Sequence, residues 1–405
     1  MNLLIFSKHY YPEPFLIDEL ADEIRKHIEN VYIVTSQPSY PKGRTYNGYN
    51  LFSFSKEKKN GLIIYRVPTI PRLGNSFIYI VLNYLFFIFI SFFAAAYIVA
   101  SKKITHIFVY ATSPMYQAFS VLILRWVYQL KIIIWIQDIF PDDAVNNGYL
   151  KNQSAIIFFR KINNFLFSKI DLILLQSNAF KQSIDLRFHN KIKYFPNVCK
   201  LESFTNPIST NKLIQIFKKN KFYITVTGNI GISQDFDTLI EAAYILQKNK
   251  NNSIHIIIVG AGSLFSYVYK KATSLSLKNI TMTGFIDKIY MPFIYNNSNI
   301  LYAGLLDRKT FHQVIPYRIT SYMSAGRPII ASISGETKKL ILEAKCGFYN
   351  QPENPHSLAN LFLKVSRLPK PQLESIGKNG FIYASKNFEI ESNVAQLLKL
   401  IKAIA

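Results

Sequence analysis

A glycine-rich turn lies between an apolar strand pattern and an amphipathic helix pattern in residues 227–243, TGNIGISQDFDTLIEAA. Glycine at positions 228 and 231 lets the backbone approach an anion closely or adopt a positive φ. The N–H groups of such a turn and of the helix after it are suited to binding phosphate. Asp235 or Asp237 can cap that helix. An ordinary strand-to-helix turn has the same pattern, so both interpretations stay open.

Polar residues also follow two predicted strands in the first half of the chain. Asp138 comes directly after the apolar run Ile132–Ile136, and His9, Tyr11 and Glu13 follow the first strand. Ligands of doubly wound sheets bind at the carboxyl ends of strands. Asp138 is therefore a candidate to orient a hydroxyl or to take its proton, although a helix cap has the same pattern. His9 fits a substrate contact or a structural role equally well.

Several other kinds of site are disfavoured by the motifs. No GxxxxGK[ST] occurs, so a phosphate-loop NTPase is not expected. Gly260-Ala261-Gly262 follows a strand pattern, but Phe265 stands where a dinucleotide-binding motif has its third glycine. The two cysteines, Cys199 and Cys346, are far apart and have no clustered histidines. We expect neither disulfides nor a zinc site, and the N-terminus shows no secretory signal pattern.

The charge balance predicts an anionic partner. The chain of 405 residues has 47 basic and 24 acidic residues, a formal net charge of +23. The lysines occur in short scattered runs, and no zinc finger, basic zipper or RNA-binding signature accompanies them. We therefore expect no nucleic acid partner. Solvated surfaces explain most of the charge, and anionic lipid headgroups are the favoured partner for the rest.

One segment, Phe77 to Ala100, is long and apolar enough to span a membrane. Spanning would place strand patterns that look like parts of one sheet on opposite sides of the bilayer. Basic residues flank both ends (Arg66, Arg72, Lys102 and Lys103), so charge sets no orientation. We expect a helix lying in the interface or a two-helix insert, rather than a wholly buried core helix.

The elements that must position these residues alternate between short β-branched runs and helical patterns. This alternation is typical of parallel sheets with crossover helices. An irregular stretch near Pro196-Asn197 and residues 203–207 interrupts the pattern, so we predict two α/β domains, residues 1–200 and 201–385. The segment 386–405 forms a further helix that either domain could hold.

The chain resembles family 4 of the retaining glycosyltransferases. The resemblance rests on HYYPEPFLIDELADEIRK, VYIVTSQPSYPKGRTYNGY, ATSP, WIQDIFPDD, YFPN, VTGNIG with QDFDTLIEAA, IIVGAG and IPYRITSYMSAGRPIIAS, in that order. Within the family these segments are most similar to bacterial L-fucosamine transferases and related enzymes of O-antigen and capsule assembly. The resemblance implies a GT-B fold, in which two Rossmann-like domains face each other across a cleft and the final helix returns to the first domain. It also implies transfer with retention and without a metal ion.

The resemblance also assigns site residues. It implies a donor-binding set in the second domain: Gly228, Asn229, Ile230, Gly231, Gln234, Gly284, Phe285, Gln313, Arg318 and Ser321. Arg318 would be the main cation for the diphosphate and, with Asp138, would belong to the catalytic centre. His9, Tyr11 and Glu13 would bind the acceptor.

Two positions depart from the family pattern. Family members commonly carry two glutamates eight positions apart, where this chain has Gln313 and Ser321. Both side chains can hydrogen-bond a sugar or ribose hydroxyl, but more weakly than a carboxylate. The departure leaves two alternatives to a transferase, a non-catalytic nucleotide-sugar-binding scaffold and a GT-B nucleotide-sugar epimerase.

The resulting expectation is a cytoplasmic, peripheral enzyme on the inner face of the cell membrane. It would move a deoxy or N-acetylated hexose from a nucleoside-diphosphate sugar, most plausibly UDP-linked, to a polyprenyl-diphosphate-linked saccharide. No cofactor is expected. The segment Phe77 to Ala100 and the basic excess would hold the chain against the membrane surface.

Overall fold

The computed structural model describes residues 1–40, 43, 45–70, 77–146, 148, 150–201, 207–217 and 221–404. The chain divides into two compact units, Met1–Pro196 with Ile390–Ala405 and Asn197–Glu389. The divisions at 196/197 and 389/390 lie close to those predicted at 200/201 and 385/386.

The first unit is built on a sheet of eight strands within the described residues. The strands are β1 (Asn2–Phe6), β2 (Asn30–Ser36), β3 (Ser55–Lys59), β4 (Leu62–Val67), β5 (His106–Ala111), β6 (Lys131–Ile136), β7 (Leu172–Leu175) and β8 (Ile192–Tyr194). Their order is β3-β4-β2-β1-β5-β6-β7-β8, and only β3 and β4 pair antiparallel. Because the strand order changes direction between β1 and β5, the carboxyl ends of these strands form the expected ligand-binding edge.

Helices cover this sheet. They are α1 (Ile17–His27), α2 (Phe77–Lys102), α3 (Phe119–Tyr128), α4 (Asp142–Asn146) and α5 (Gln153–Ser168). The last helix of the chain, Ile390–Ala403, packs against α1 through a stripe of buried apolar residues and so belongs to this unit. Strands β5 and β7 are buried along their whole length, as expected for parallel strands covered on both faces.

The second unit has a six-stranded, wholly parallel sheet. Its strands are β9 (Phe222–Thr227), β10 (Ile254–Val259), β11 (Ile280–Gly284), β12 (Ile300–Gly304), β13 (Ile329–Ser332) and β14 (Gly347–Tyr349), in the order β11-β10-β9-β12-β13-β14. Its helices are α6 (Asn211–Ile216), α7 (Phe236–Lys248), α8 (Phe265–Ser274), α9 (Met291–Asn296), α10 (Tyr317–Ser324), α11 (Glu336–Glu343), α12 (Pro355–Ser366) and α13 (Lys370–Asn387). The terminal helix Ile390–Ala403 is α14. Here the strand order changes direction between β9 and β12, so the turn after β9 lies at the ligand-binding edge.

The long apolar segment forms one unbroken helix, α2, so the two-helix insert considered from the sequence is wrong. It crosses from β4 to β5 and packs against β2, β4 and α3. A stripe at positions 83, 84, 87, 91, 95, 98 and 99 is buried, whereas an opposite stripe stays exposed. Among the described residues, Val81–Lys102 is the one helical stretch long and apolar enough to cross a membrane, and one third of it is buried. Because both flanking strands belong to one sheet, this packing favours a helix lying along a surface.

The basic residues that flank the apolar segment in the sequence differ in environment. Arg66 is fully buried, donates to Glu57 and to the carbonyl of Tyr11, and is therefore not a free flanking charge. Lys103 is exposed. Arg72 lies outside the described residues.

Candidate functional site

The turn after β9 is shaped by hydrogen bonds to the neighbouring strand and loop. Gly228 has a φ of 112°, and its amide donates to the carbonyl of Val259 at 2.9 Å. The amide of Ile230 donates to the carbonyl of Ala261 at 3.0 Å, and the Ile230 side chain is buried. Ile230 thus anchors the turn in the core, and its amide is already used. Within the described ranges the amides of Asn229 and Gly231 have no hydrogen-bond acceptor.

The loop after β10 packs closely against this turn. A Cβ on Gly260 would lie 1.8 Å from the carbonyl oxygen of Gly228, and a Cβ on Gly262 would lie 2.3 Å from that of Ile230. Only glycine allows the two loops to approach this closely. Gly260-Ala261-Gly262 therefore allows the loop after β10 to contact the turn after β9, although it is not a dinucleotide-binding motif.

Arg318 lies beside the turn, at the start of α10. Its Nη2 donates to the carbonyl of Asn229 at 3.2 Å. Its Nη1 is buried and has no hydrogen-bond partner among the described residues. An unsatisfied guanidinium nitrogen is costly, and an anionic ligand would satisfy it. No side chain caps the N-terminus of α10, so its dipole adds to the positive potential there.

Helix α7, which follows the turn, is capped by a buried carboxylate. Asp235 caps it by accepting from the amide of Thr238 at 3.3 Å, and its second oxygen accepts from the amide of Glu353 at 3.0 Å. A carboxylate at this position repels a phosphate. Asp235 is thus one of the two caps that the sequence offered for α7, and the start of α10 adds an uncapped positive helix end beside the turn.

The other predicted donor residues surround this edge of the second unit. Gln234 has a buried Oε1 without a partner in the described ranges. Ser321 lies on α10 with its Oγ 3.5 Å from the hydroxyl of Tyr295. Gln313 ends a short 3-10 turn that Gly335 contacts, since a Cβ there would lie 2.0 Å from the carbonyl oxygen of His312. This contact joins the start of α11 to the same group of loops.

Gly284 ends β11 and Phe285 follows it, on the far side of β10 from the turn. Gly284 has a φ of 75° with open space at its Cβ position. Phe285 is 71% exposed and lines a shallow cavity with Leu213 and Tyr290. An exposed ring beside a cavity can stack on a planar ligand such as a nucleobase.

In the first unit, Asp138 shares its surroundings with a second carboxylate, Asp143. Asp138 follows β6, and Asp143 lies in the first turn of α4. The hydroxyl of Ser113, just after β5, donates a short hydrogen bond to Asp143, whose other oxygen accepts from the amide of Ala144 at 2.7 Å. Three chain segments at the carboxyl edge of the sheet thus converge on one acidic centre.

Burial makes both carboxyls weaker acids than an ordinary aspartate. Loss of solvent raises the pKa of Asp138 to about 6. Burial and the nearby charge of Asp138 raise the pKa of Asp143 to about 7, against the lowering effect of the hydrogen bond from Ser113. Around neutral pH the pair can therefore accept or release a proton, as a general base requires.

The polar side chains in the loop after β1 are held by hydrogen bonds. His9 Nδ1 lies 2.7 Å from Glu13 Oε2, and the His9 ring stacks on Phe15 with centroids 4.6 Å apart. Glu13 Oε1 accepts from the amides of Ser39 at 2.7 Å and Tyr40 at 2.6 Å. Both oxygens of the buried Glu13 are thus engaged inside the loop, so it orients His9 instead of facing an acceptor.

Tyr11, the third predicted acceptor residue, is partly exposed. The Lys59 ammonium lies 4.0 Å from the centre of its ring. The Tyr11 carbonyl accepts from Arg66 Nη2 at 2.6 Å. The backbone of Tyr11 is therefore fixed while one face of the ring remains available.

Two residues of this candidate site, Asp143 and Ser113, were not identified from the sequence. Asp143 belongs to the WIQDIFPDD segment, where a second acid five positions after Asp138 was the available signal. Ser113 had no such signal, because only the sheet brings it to Asp143.

The described residues contain no group of three or more His, Cys, Asp or Glu side chains suited to holding a metal ion.

Comparison with known proteins identifies the fold. Residues 209–383 match the model of the family Glycosyl transferases group 1. The chain also superposes on HepE from Anabaena in complex with UDP, with a TM-score of 0.70, 13% identity and full coverage of both chains. It has the GT-B fold of glycosyltransferases. The mixed α/β fold class predicted from the sequence, with two Rossmann-like parallel sheets, is confirmed.

Two curated relatives are distant glycosyltransferases. The probable glycosyltransferase WbjE of Pseudomonas aeruginosa is 24% identical over 277 residues, a match that spans 66% of each chain. The uncharacterised glycosyltransferase MJ1069 of Methanocaldococcus jannaschii is 22% identical over 421 aligned positions, 100% of this chain and 99% of that one. The part of the chain that matches the family model, residues 209–383, lies in the second unit.

Proposed function

We propose that this protein is a retaining glycosyltransferase that moves a hexose from a UDP-sugar to a lipid-linked oligosaccharide without a metal ion. One observation carries the proposal. The unsatisfied, buried Nη1 of Arg318 lies on a side chain whose other nitrogen contacts the turn that leaves the amides of Asn229 and Gly231 without acceptors. A diphosphate would satisfy all three groups at once.

A nucleoside diphosphate fits better than a free phosphate. The exposed ring of Phe285 beside its cavity offers a stacking surface for a base on the same unit as the phosphate groups. HepE, which has the same fold, binds UDP in its crystal structure. Arg318 and the start of α10 would stabilise the departing UDP in place of a divalent cation.

Asp138 is the proposed polar group for the acceptor hydroxyl. Its pKa, raised to about 6 by burial, leaves it ionised but still basic at neutral pH. It would orient the hydroxyl or take its proton as the new glycosidic bond forms. His9, held by Glu13, and the ring of Tyr11 would contact the acceptor saccharide.

The acceptor and location are inferred from the surface of the first unit. The exposed apolar stripe of α2 and the net charge of +23 suit the inner, cytoplasmic face of a membrane, where a polyprenyl-diphosphate acceptor would be anchored. The sugar would be a deoxy or N-acetylated hexose, as in the fucosamine-transferase-like enzymes that the sequence resembles. The pathway would be O-antigen or capsule assembly.

The test is UDP release. Purified protein is incubated with UDP-hexoses and UDP-N-acetylhexosamines, with and without a short polyprenyl-diphosphate saccharide, and with EDTA in a parallel set. We expect release that needs the acceptor and survives EDTA, and NMR of the product should show the anomeric configuration of the donor. No release with any pair, together with no binding of UDP, would refute the proposal.

A non-catalytic donor-binding scaffold is the second candidate. It is favoured by Gln313 and Ser321, because neither can supply the negative charge of the glutamates common in the family. The two functions differ in one measurement. Tight UDP binding by calorimetry without turnover on any acceptor would identify the scaffold.

A further inference from the structure

We propose that α2, α3 and α5 together form one apolar face that seats the first unit on a bilayer containing anionic lipid. In this arrangement α3 and α5 enter the interface as well as α2. The inference deepens the proposed function by defining the membrane-binding surface and the lipid that it prefers. The proposed function explains why the protein would bind a membrane. The lipid binding itself is measured without sugar donor or acceptor.

The three helices lie side by side. On α2, the hydroxyl of Ser91 is 3.2 Å from that of Ser120, at the start of α3, and Ser120 also donates to the carbonyl of Ile88 at 2.8 Å. On the other side of α3, the ring of Phe119 stacks on that of Phe165 of α5 with centroids 6.4 Å apart. The face that these helices share is therefore continuous.

Large apolar side chains project from all three helices into solvent. The exposed ones are Leu82, Leu85, Phe89, Phe93 and Tyr97 on α2, Ile123, Trp126, Val127 and Tyr128 on α3, and Ile157, Phe158 and Phe165 on α5. Trp126 is 94% exposed. With 26 residues, α2 alone is about 39 Å long. A contiguous apolar surface of this extent indicates a binding surface.

Charge identifies the occupant as anionic lipid. Between their first and last residues, α2, α3 and α5 contain no aspartate or glutamate. Of their four cations, Arg125 pairs with Asp171 and Arg160 with Asp142, which leaves Lys102 and Lys161 for an anionic surface. Lys161 is exposed between Phe158 and Phe165 on α5. A second copy would present the same basic face, so a symmetric dimer through it would bring like charges together. Anionic headgroups complement these cations, while the aromatic rings enter the interface.

The two tryptophans make the inference directly measurable. Trp126 is exposed on the proposed face, whereas Trp135 is fully buried in β6. In a Trp135→Phe variant, the emission comes from Trp126 alone. We expect it to shift to the blue on adding vesicles with about 30% phosphatidylglycerol in phosphatidylcholine, and to be quenched by brominated acyl chains. The matched Trp126→Phe variant, which reports Trp135, should show neither change.

A second variant pair tests α5. Phe158→Ser with Phe165→Ser should weaken vesicle co-sedimentation by about tenfold or more, whereas Tyr269→Ser with Ile382→Ser, at exposed apolar positions of the second unit, should not. Circular dichroism confirms that each variant folds. An unchanged Trp126 spectrum with anionic vesicles, equal binding to pure phosphatidylcholine, or a dimer in light scattering that shields Trp126 without lipid would each overturn the proposal. Because no sugar donor is present, a failure here is separate from a failure to release UDP.

Discussion

The carbonyl oxygen of Gly228 lies 1.8 Å from the position that a Cβ on Gly260 would occupy. The turn after β9 and the loop after β10 are therefore in backbone contact, and any side chain at position 260 must push the turn away. The φ of 147° at Gly260 adds strain for any other residue. The geometry of the proposed phosphate site thus depends on Gly260 as well as on the glycines of the turn itself.

Replacing Gly260 by alanine should displace this turn. We expect a loss of about 3 kcal/mol in the free energy of unfolding and a large loss of UDP affinity, because the clash is with backbone atoms. Chemical denaturation and calorimetry with UDP measure the two effects. Gly48→Ala is the control, since Gly48 has a φ of 83° but open space around its Cβ position. If Gly260→Ala affects both quantities no more than Gly48→Ala does, the contact is not what shapes the turn.

Arg318 should contribute to donor affinity through its geometry as well as its charge. Arg318→Ala should weaken the binding free energy of UDP by about 1.5–3 kcal/mol, the range for a hydrogen bond to a charged group. Arg318→Lys should recover only part of this, because an ammonium cannot contact both the Asn229 carbonyl and a phosphate in the same fork. Isothermal calorimetry measures each value. Arg367→Ala, at an exposed arginine after α12, should leave the Kd unchanged.

Asp138 should set the pH dependence of transfer on the acid side. Asp138 must be ionised to accept a proton, so kcat/KM should rise with pH through an apparent pKa of about 6. Asp143→Asn should leave this rise in kcat/KM at nearly the same pH, because burial raises the pKa of Asp138 and because Asp143, with a pKa of about 7, is still mostly protonated while Asp138 ionises. Asp185→Asn is the control, because a hydrogen bond from Arg187 already lowers the pKa of Asp185 to about 2, outside this range. A rise that moves to lower pH by a unit or more in Asp143→Asn would mean that the charge of Asp143, and not burial, raises the pKa of Asp138.

The sequence predicted those parts of the fold that local pattern determines. The apolar runs of β6 and β10 and the amphipathic α7 were recognised, because each buries an uninterrupted apolar run or one apolar face. The edge strand β3, SKEKK, was missed because its side chains are charged and it is held only by pairing with β4. Helix α13 was missed too, since two glycines at its buried positions, Gly377 and Gly380, hide the helical pattern.

The site was only partly predictable for a related reason. Gly228 and Asp138 stand next to strands in the sequence, so strand ends alone pointed to them. Ser113 and Asp143 meet only because β5 and β6 are neighbours in the sheet. Glu13 looked like a ligand residue because it is polar and lies in a loop, but its partners at Ser39 and Tyr40 come from a distant part of the chain.

Glu13 should be needed for the loop after β1. Burial alone would raise the pKa of Glu13, but the ion pair and hydrogen bond with His9 and the amides of Tyr40 and Ser39 together lower it. Glu13→Ala leaves these donors unsatisfied in a buried position and should cost about 3 kcal/mol in unfolding free energy. Glu13→Gln keeps one acceptor and should cost less. Thermal and chemical denaturation measure both, with the exposed Glu374→Ala as control.

The carboxylate pair should also make the first unit less stable as pH rises. In the unfolded chain both groups lose their protons near pH 4, whereas in the folded chain the pKa of Asp138 is about 6 and that of Asp143 about 7. Between these values the folded state binds more protons, so its stability falls as pH rises from about 4 to 7. At pH 8 both carboxylates are charged and the full cost is present.

Asp143→Asn should therefore be more stable than the parent chain at pH 8, by about 2 kcal/mol, and should differ little from it at pH 4.5. The amide oxygen of asparagine can still accept from Ser113, so the hydrogen bond that ties α4 to the end of β5 is kept. Urea denaturation at a series of pH values measures the difference. A constant offset at all pH values would mean that the substitution acts through packing, and that the charge of Asp143 imposes no cost on the fold.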